Sequence, residues 1–273
     1  MTDAPADERP DGIAQRVLDD GTPEHLLREE PLVLDVGGDT LVTMRTPGDD
    51  EHLAVGFLLS EGVIRTAASV TDCQFTPGDA AAGTADTLHV RLEGHTGDRE
   101  PRTGRLTRTH EIRSSCGLCG LANLDDLLDD LPPLLPALPR LTPAAIAAIR
   151  DHLVDQQTHF RTTGASHAAA ICGEQGTLLA LGEDVGRHNA LDKAIGRAAR
   201  GGAELARCVA MLSGRAGFDL VLKCLRVRIP VILSVSAASA QSFDLCQSAG
   251  ATLVGFVRPD RQRVYLSGGR LGS

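Results

Sequence analysis

The rhythm of hydrophobic and polar positions changes near residue 164. Before it, short alternating runs predominate. "PLVLDVGGDTLVTM" (31–44) predicts two strands joined at Gly37-Gly38, and "TLHVRLEG" (87–94) a third. "TPGDDEHLAVGFLLSEGVI" sets a turn before a helix, with Leu53, Phe57 and Leu58 on one side and Gly62 at its end. "TPGDAAAGTAD" (76–86) reads as a small-residue loop. Leu124, Leu127, Leu128 and Leu131 follow helical spacing, with Asn123 as N-cap and Pro132-Pro133 as the stop, and Thr142-Pro143 opens a further helix. After residue 164, continuous apolar runs ("SHAAAIC", "GTLLALG", "RCVAMLSG", "PVILSVS", "ATLVGFV") alternate with helical segments ("HNALDKAIGRAARGG", "FDLVLKCLRVR", "SAQSFDLCQSAG"). That alternation predicts an α/β domain whose sheet is at least partly parallel and covered by helices on its faces.

In such sheets ligands bind at the loops after the strand ends. Here those loops are polar: "GEDVGRHN" (182–189), "SGRAG" (213–217), "SVSAASAQS" (234–242) and "RPDR" (258–261). Asp184, Arg187, His188, Asn189, Asp192 and Lys193 crowd into ten residues, with His188 and Asp192 on one helix face. Taken singly, each loop reads as ordinary connection chemistry: a capped helix with a surface salt bridge, a serine cap at Ser239 or Ser242, a charged hairpin turn. Together they favour a nucleotide-like ligand, with Arg215 and backbone N–H groups facing an anion, and Phe256 stacking beside Arg258, Asp260 and Arg261.

Composition narrows the classes. With a net charge of −9 and 3% aromatic residues, the chain has neither the basic footprint nor the stacking platforms of a nucleic-acid-binding protein. Of 27 basic residues only Lys193 and Lys223 are lysines; Arg suits phosphate recognition, although a codon bias explains the count as simply. No apolar run approaches the roughly 18 residues of a membrane span, and "MTDAPADERPDG" lacks the apolar region of a signal peptide. Of seven cysteines, Cys172, Cys208, Cys224 and Cys246 sit in apolar segments and read as small buried hydrophobes, which fits a reducing cytoplasm.

The chemistry concentrates in "RSSCGLCGLANLDDLL" (113–128), where Cys116 and Cys119 follow an Arg-rich stretch (95–113). A zinc clamp lacks a second ligand pair. A zinc deaminase would add an H-x-E motif, and the chain has none. A thioredoxin-type pair would open directly into a helix, whereas here the helix signal begins only near Asn123, after a permissive loop of serines and glycines around the pair. Metal ligation, a redox couple and a nucleophilic carrier all remain open from these local features.

The order of "EEPLVLDVGG", "VTMRTPGDDEHLAVGFLLSEGVI", "SSCGLCG", "TGASHAAA", "GEDVGRHNALDKAIG", "SGRAGFDLVLK" and "LVGFVR" resembles one family across residues 29 to 266: the formate dehydrogenase accessory sulfurtransferases, the FdhD family. The resemblance implies a cytidine-deaminase-like layered α/β fold, a mixed sheet with helices on its faces, plus a smaller N-terminal α+β lobe. The expected division is a flexible tail (1–25), the lobe (26–113) and the deaminase-like domain (114–273). It implies a cytoplasmic, homodimeric sulfurtransferase that takes sulfur from a cysteine desulfurase as a persulfide and transfers it to molybdenum bis(molybdopterin guanine dinucleotide), its bound substrate, for the formate dehydrogenase catalytic subunit. No tightly bound catalytic metal of its own is expected, nor nucleic acid or membrane. Cys116 is then the persulfide bearer and Cys119 its partner. Phe256, Val257, Arg258, Pro259, Asp260 and Arg261 become the cofactor-contacting segment, and Asp184, His188, Asn189, Ser213, Gly214 and Arg215 the walls of the same pocket. "TGA", "SAAS" and "SGRAGFD" depart from the usual family pattern and bear on loop stiffness and pocket shape. The alternative is a non-catalytic chaperone that holds the cofactor.

Overall fold

The computed structural model describes residues 12–79, 81–93 and 131–272. The cysteine pair, the Arg-rich stretch and the predicted helix near Asn123 lie outside the described residues.

The first departure from expectation comes at the start. Residues 13–27 are a β-hairpin, β1 (Ile13–Val17) against β2 (Pro23–Leu27), instead of a loose tail. The average composition of residues 1–25 conceals two five-residue strands around "LDDGT". Gly21 closes that turn at φ 83, with Leu18 N–H donating to Thr22 O and Gly21 N–H to Leu18 O.

The next elements are β3 (Glu30–Val36), β4 (Asp39–Arg45), helix α1 (Asp50–Ser60), β5 (Val70–Thr76) and β6 (Asp86–Leu92). They form a sheet ordered β4-β3-β6-β5. Leu32, Leu34 and Val36 of β3 and Leu88, Val90 and Leu92 of β6 all point to one buried face, as period-two alternation requires. Arg45, 1% exposed, closes one end of this sheet by pairing with Asp50 (3.0 Å), Asp86 (2.6 Å) and Glu30 (3.4 Å).

The chain continues with α2 (Pro143–Gln156), α3 (Thr158–Thr163), β7 (His167–Cys172), β8 (Leu178–Asp184), α4 (Arg187–Arg200), β9 (Val209–Leu212), α5 (Phe218–Arg226), β10 (Val231–Ser234), α6 (Ala240–Ala249), β11 (Thr252–Gly255) and β12 (Arg263–Leu266). Thr142 caps α2 by accepting from Ala145 N–H, with Pro143 in the first turn. The six-stranded sheet runs β12-β11-β10-β9-β7-β8 and is mixed: β9, β10 and β11 are parallel, while β7 and β12 run against them. Alternate residues divide between two cores. Ala169, Ile171, Ala210, Leu212, Ile232 and Leu253 face α4, α5 and α6; Ala168, Ala170, Val209, Met211, Val231 and Leu233 face α2.

The first of these cores also contains β3, α1 and β6, so one apolar cluster runs through both sheets. α1 is its hinge pin. It was expected to bury one side, but Leu53, Ala54, Val55, Leu58 and Leu59 are all buried, because α1 lies between the four-stranded sheet and α4. Gly56 and Gly196 set the helix spacing: a Cβ at Gly56 would fall 1.8 Å from Asp192 O, and one at Gly196 1.9 Å from His52 O. No helix among the described residues is long and apolar enough to cross a membrane.

Candidate functional site

Because β8 lies antiparallel to β7, and β7 to β9, the C-terminal ends of β8, β9, β10 and β11 emerge on one edge of the sheet. All four polar loops therefore meet there, together with His167 at the start of β7. Backbone and serine hydroxyl bonds tie the rim. Ser213 Oγ accepts from Ala168 N–H (2.8 Å), and Ser234 Oγ donates to Gly214 O (2.6 Å). Ala216 and Ala238 form a parallel bridge, and Ser242 Oγ donates to Ala216 O (2.9 Å). Ser239 caps α6, accepting from Ser242 N–H, which is the ordinary role expected of it.

The "GEDVGRHN" loop divides its work. Asp184 is fully buried and its carboxylate is consumed internally. Oδ2 pairs with Lys193 Nζ (2.8 Å) and accepts from Thr46 N–H (3.0 Å); Oδ1 accepts from Gly186 N–H (2.9 Å) and Asn189 Nδ2 (3.2 Å). Asn189 also donates to Met44 O (2.7 Å), and Lys193 Nζ to Thr46 O (2.8 Å). Asp184 and Asn189 thus bolt the rim to the end of β4 and leave no carboxylate or amide free to face a ligand. They act here by fixing the loop. Nor do His188 and Asp192 pair on a surface. Asp192, 1% exposed, meets Lys223 Nζ (2.9 Å) and Ser60 Oγ (2.7 Å), and Lys223 also meets Glu61 (2.8 Å). Asp192 and Glu61 hold the Lys223 ammonium above its ordinary value against the pull of burial.

The groups left at the rim are Arg187, His188, Arg215 and two that the sequence reading did not select, His167 and Asp219. Asp219, in the first turn of α5, accepts from His188 Nε2 and stands 3.4 Å from Arg187. Burial alone would raise its carboxyl. The hydrogen bond and charge of His188, with Arg187 behind them, carry it below the usual range. Gly217 makes room for it, since a Cβ there would lie 2.7 Å from Asp219 Oδ1. His167 lies beside Gly214, where a Cβ would stand 3.6 Å from its Nδ1, an ordinary contact distance. Burial, then the charges of Arg187 and His188, lower the His167 pKa from 6.5. Asp219 carried a signal of sorts, an acidic residue in the first turn after a glycine-rich strand end. His167 did not: a lone histidine at the start of an apolar strand carries no such signal.

One measurement checks this electrostatic reading. The His167 ring is expected to titrate below 6.5, and Arg187→Ala to move its midpoint upward, as followed by histidine NMR from about pH 4 to 8. The folded ring resists protonation. Its contribution to stability is therefore complete above 6.5 and is lost as the pH falls from there to the folded midpoint.

At the far end of the rim, after β11, lies an open groove of about 480 Å³ lined by Phe256, Arg258, Arg261, Gln262 and Arg263. Phe256 is held at φ 51, a left-handed conformation that costs a side-chain-bearing residue about 1–2 kcal/mol. Its N–H donates to Ser236 O (3.1 Å), and that of Val257 to Ser234 O (3.0 Å). Arg258, Pro259, Asp260 and Arg261 are exposed, while Val257 is 1% exposed and packs into the core. The Val257 side chain thus supports the segment from below. Arg258 N–H donates to Arg261 O (2.8 Å), closing the turn. Among the described residues no cluster of three or more His, Cys, Asp or Glu side chains is placed to hold a metal ion.

A mixed sheet with helices on its faces, a four-stranded companion bolted to it and one polar rim define a layered α/β fold. The crystal structure of a protein from Desulfotalea psychrophila assigned as a formate dehydrogenase accessory protein has the same architecture, with a TM-score of 0.71 and 25% identity over 95% of this chain and 98% of that one. Residues 27–272 match the FdhD/NarQ family, and the chain belongs to it. It is 41% identical to the sulfur carrier protein FdhD of Streptomyces coelicolor over 253 residues, covering 91% of this chain and 89% of that protein. It is also 41% identical to that of Mycobacterium tuberculosis over 257 residues, covering 91% and 92%.

Proposed function

We propose that the protein is a sulfur carrier in formate dehydrogenase maturation. It receives sulfur from a cysteine desulfurase as a persulfide on Cys116, with Cys119 assisting its release, and transfers it to molybdenum bis(molybdopterin guanine dinucleotide) destined for the formate dehydrogenase catalytic subunit. It works as a cytoplasmic homodimer. The observation that carries this reading is membership of a family whose curated members are named sulfur carriers, at 41% identity over most of the chain.

The thiols support it. Burial pushes Cys172 and Cys246 up to about 12 and Cys208 to about 11, and lifts Cys224 and Cys73 as well. A carrier needs a thiolate, and these five are kept as thiols at neutral pH. Cys116 and Cys119 are the two remaining cysteines, on a segment whose serines and glycines suit movement between donor and acceptor. The Phe256–Arg263 groove supports the cofactor half, because aromatic and guanidinium groups together suit a nucleotide.

The test is intact-protein mass spectrometry after incubation with a cysteine desulfurase and cysteine. Wild type is expected to gain one sulfur, removable by reductant, and Cys116→Ala to gain none. An absence of sulfur on wild type would point instead to a protein that holds the cofactor without moving sulfur.

A further inference from the structure

Most polar side chains of the rim are occupied in holding it together. Asp184 and Asn189 bind the end of β4, and the serine hydroxyls close bonds to backbone. The imidazoles are not so occupied. The His167 ring makes no hydrogen bond among the described residues. His188 makes one, through Nε2 to Asp219, and its Nδ1 has no protein partner among those residues.

Asp219 stands in the first turn of α5, mostly buried, in space that a Cβ at Gly217 would close to 2.7 Å from Oδ1. Its bond to His188 fixes the ring orientation and the tautomer. Nε2 carries the proton it donates, so a neutral His188 presents Nδ1 as an acceptor. A carboxylate beside the ring also favours its charged form, which makes the ring a stronger base. The other charged or titratable groups around the couple are Arg187, 3.4 Å from Asp219, and His167, whose ring senses the charges of both Arg187 and His188. Asp184, which faces His167, is held in its ion pair with Lys193, and Arg215 is exposed on the loop after β9.

Sulfur release from a persulfide calls for such a group. Cys119, as thiolate, attacks Cys116 Sγ. A disulfide forms between the two cysteines, and the bond from Cys116 Sγ to the terminal sulfur breaks. Its electron pair leaves with that sulfur as hydrosulfide. The cysteines are oxidised and the sulfane sulfur is reduced, so no outside reductant enters. One proton remains, the one that Cys119 gave up.

We propose that His188 accepts that proton, with Asp219 as the positioning residue that orients its ring. The assignment deepens the carrier reading given under Proposed function and rests on it.

The experiment charges the full-length protein with one sulfur, using a cysteine desulfurase and cysteine, then removes both and follows sulfide release without added reductant from about pH 5 to 9. Wild type is compared with Asp219→Asn, Asp219→Glu and His188→Gln, with intact mass as the check on loading and thermal unfolding as the check on folding. His89→Gln is the control, because His89 pairs with Asp35 at 2.8 Å on the exposed face of the four-stranded sheet, a like couple away from the rim. All are expected to load. Wild type is expected to release sulfide at a rate that falls toward acid as the acceptor becomes protonated. Asp219→Asn is expected to slow release about tenfold or more on the alkaline plateau and to move the acid limb to lower pH, since the ring has lost the charge that favoured its protonated form. His188→Gln is expected to lose the limb, Asp219→Glu to recover most of the rate, and His89→Gln to match wild type. A wild-type rate in Asp219→Asn would overturn the couple. So would a rate lowered equally at every pH with the limb unmoved, which is what a packing role alone predicts. A wild type that loads sulfur but retains it overturns the couple and leaves the carrier reading standing. A wild type that loads none overturns both.

Discussion

Alanine at Gly56 or at Gly196 is expected to destabilise the protein by upwards of about 3 kcal/mol in urea unfolding, although alanine is the better helix former by about 1 kcal/mol. The added methyl at Gly56 would stand 1.8 Å from Asp192 O, and that at Gly196 1.9 Å from His52 O. Both obstacles are backbone, which cannot rotate away, so α1 and α4 must separate and the apolar cluster around them must open. Gly173→Ala is the matched control. Its Cβ would find only Thr177 O, at 3.9 Å, and the change is expected to alter stability by less than about 1 kcal/mol. Equal losses at all three positions would mean that the helix spacing is not the cause.

The second large effect is expected from Lys223→Met. Lys223 is surrounded by Asp192, Ser60 and Glu61 at 2.8–3.1 Å. Removing its charge leaves Asp192 buried without its cation, a loss of about 3–5 kcal/mol, whereas removing both partners leaves no orphan charge. Lys223→Met combined with Asp192→Leu is therefore expected to recover much of the loss, as a double-mutant cycle would measure. The sign of the pH dependence follows. In the single variant the buried carboxyl is harder to ionise in the folded state than in the unfolded one, so folding loses stability as the pH rises above the unfolded carboxylate value. The deficit against wild type should be larger at about pH 8 than at about pH 5. A deficit that does not vary with pH would remove the orphan-carboxylate explanation.

Much of the larger sheet was legible because its strands are short continuous apolar runs and its helices are amphipathic. "VAML" and "VILS" have few alternatives to a buried strand. The hairpin at 13–27 was not legible, since "IAQRV" and "PEHLL" are weakly patterned and were averaged into an acidic, proline-containing leader. β5, "VTDCQFT", was missed for a similar reason: only Val70 is fully buried, and its pairing with β6 gives it order. At the rim, the loops were located correctly, but not which side chains they present. Asp184 and Asn189 looked like ligand groups because charge density in a loop is visible in sequence. Their partners, Thr46 and Met44, lie 138 and 145 positions away and are not. The same distance hid the two lysines. In a chain that otherwise uses arginine they looked like a compositional remainder, yet both fill buried sites where three acceptors converge on one small cation.

Those long-range bolts bear on how such a chain can be recombined. A hybrid made from two relatives with the crossover between β6 and α2 would take Thr46, Ser60 and Glu61 from one parent and Lys193 and Lys223 from the other. In this chain the two halves are fitted to one another across that junction, in charge as well as in the glycine-to-backbone contact of α1 with α4. A crossover between β10 and α6 would divide none of these partnerships. Exchange at that later point would keep the buried lysines with their partners, but it would separate Ser242 from Ala216, and so cut one of the ties that hold the rim together.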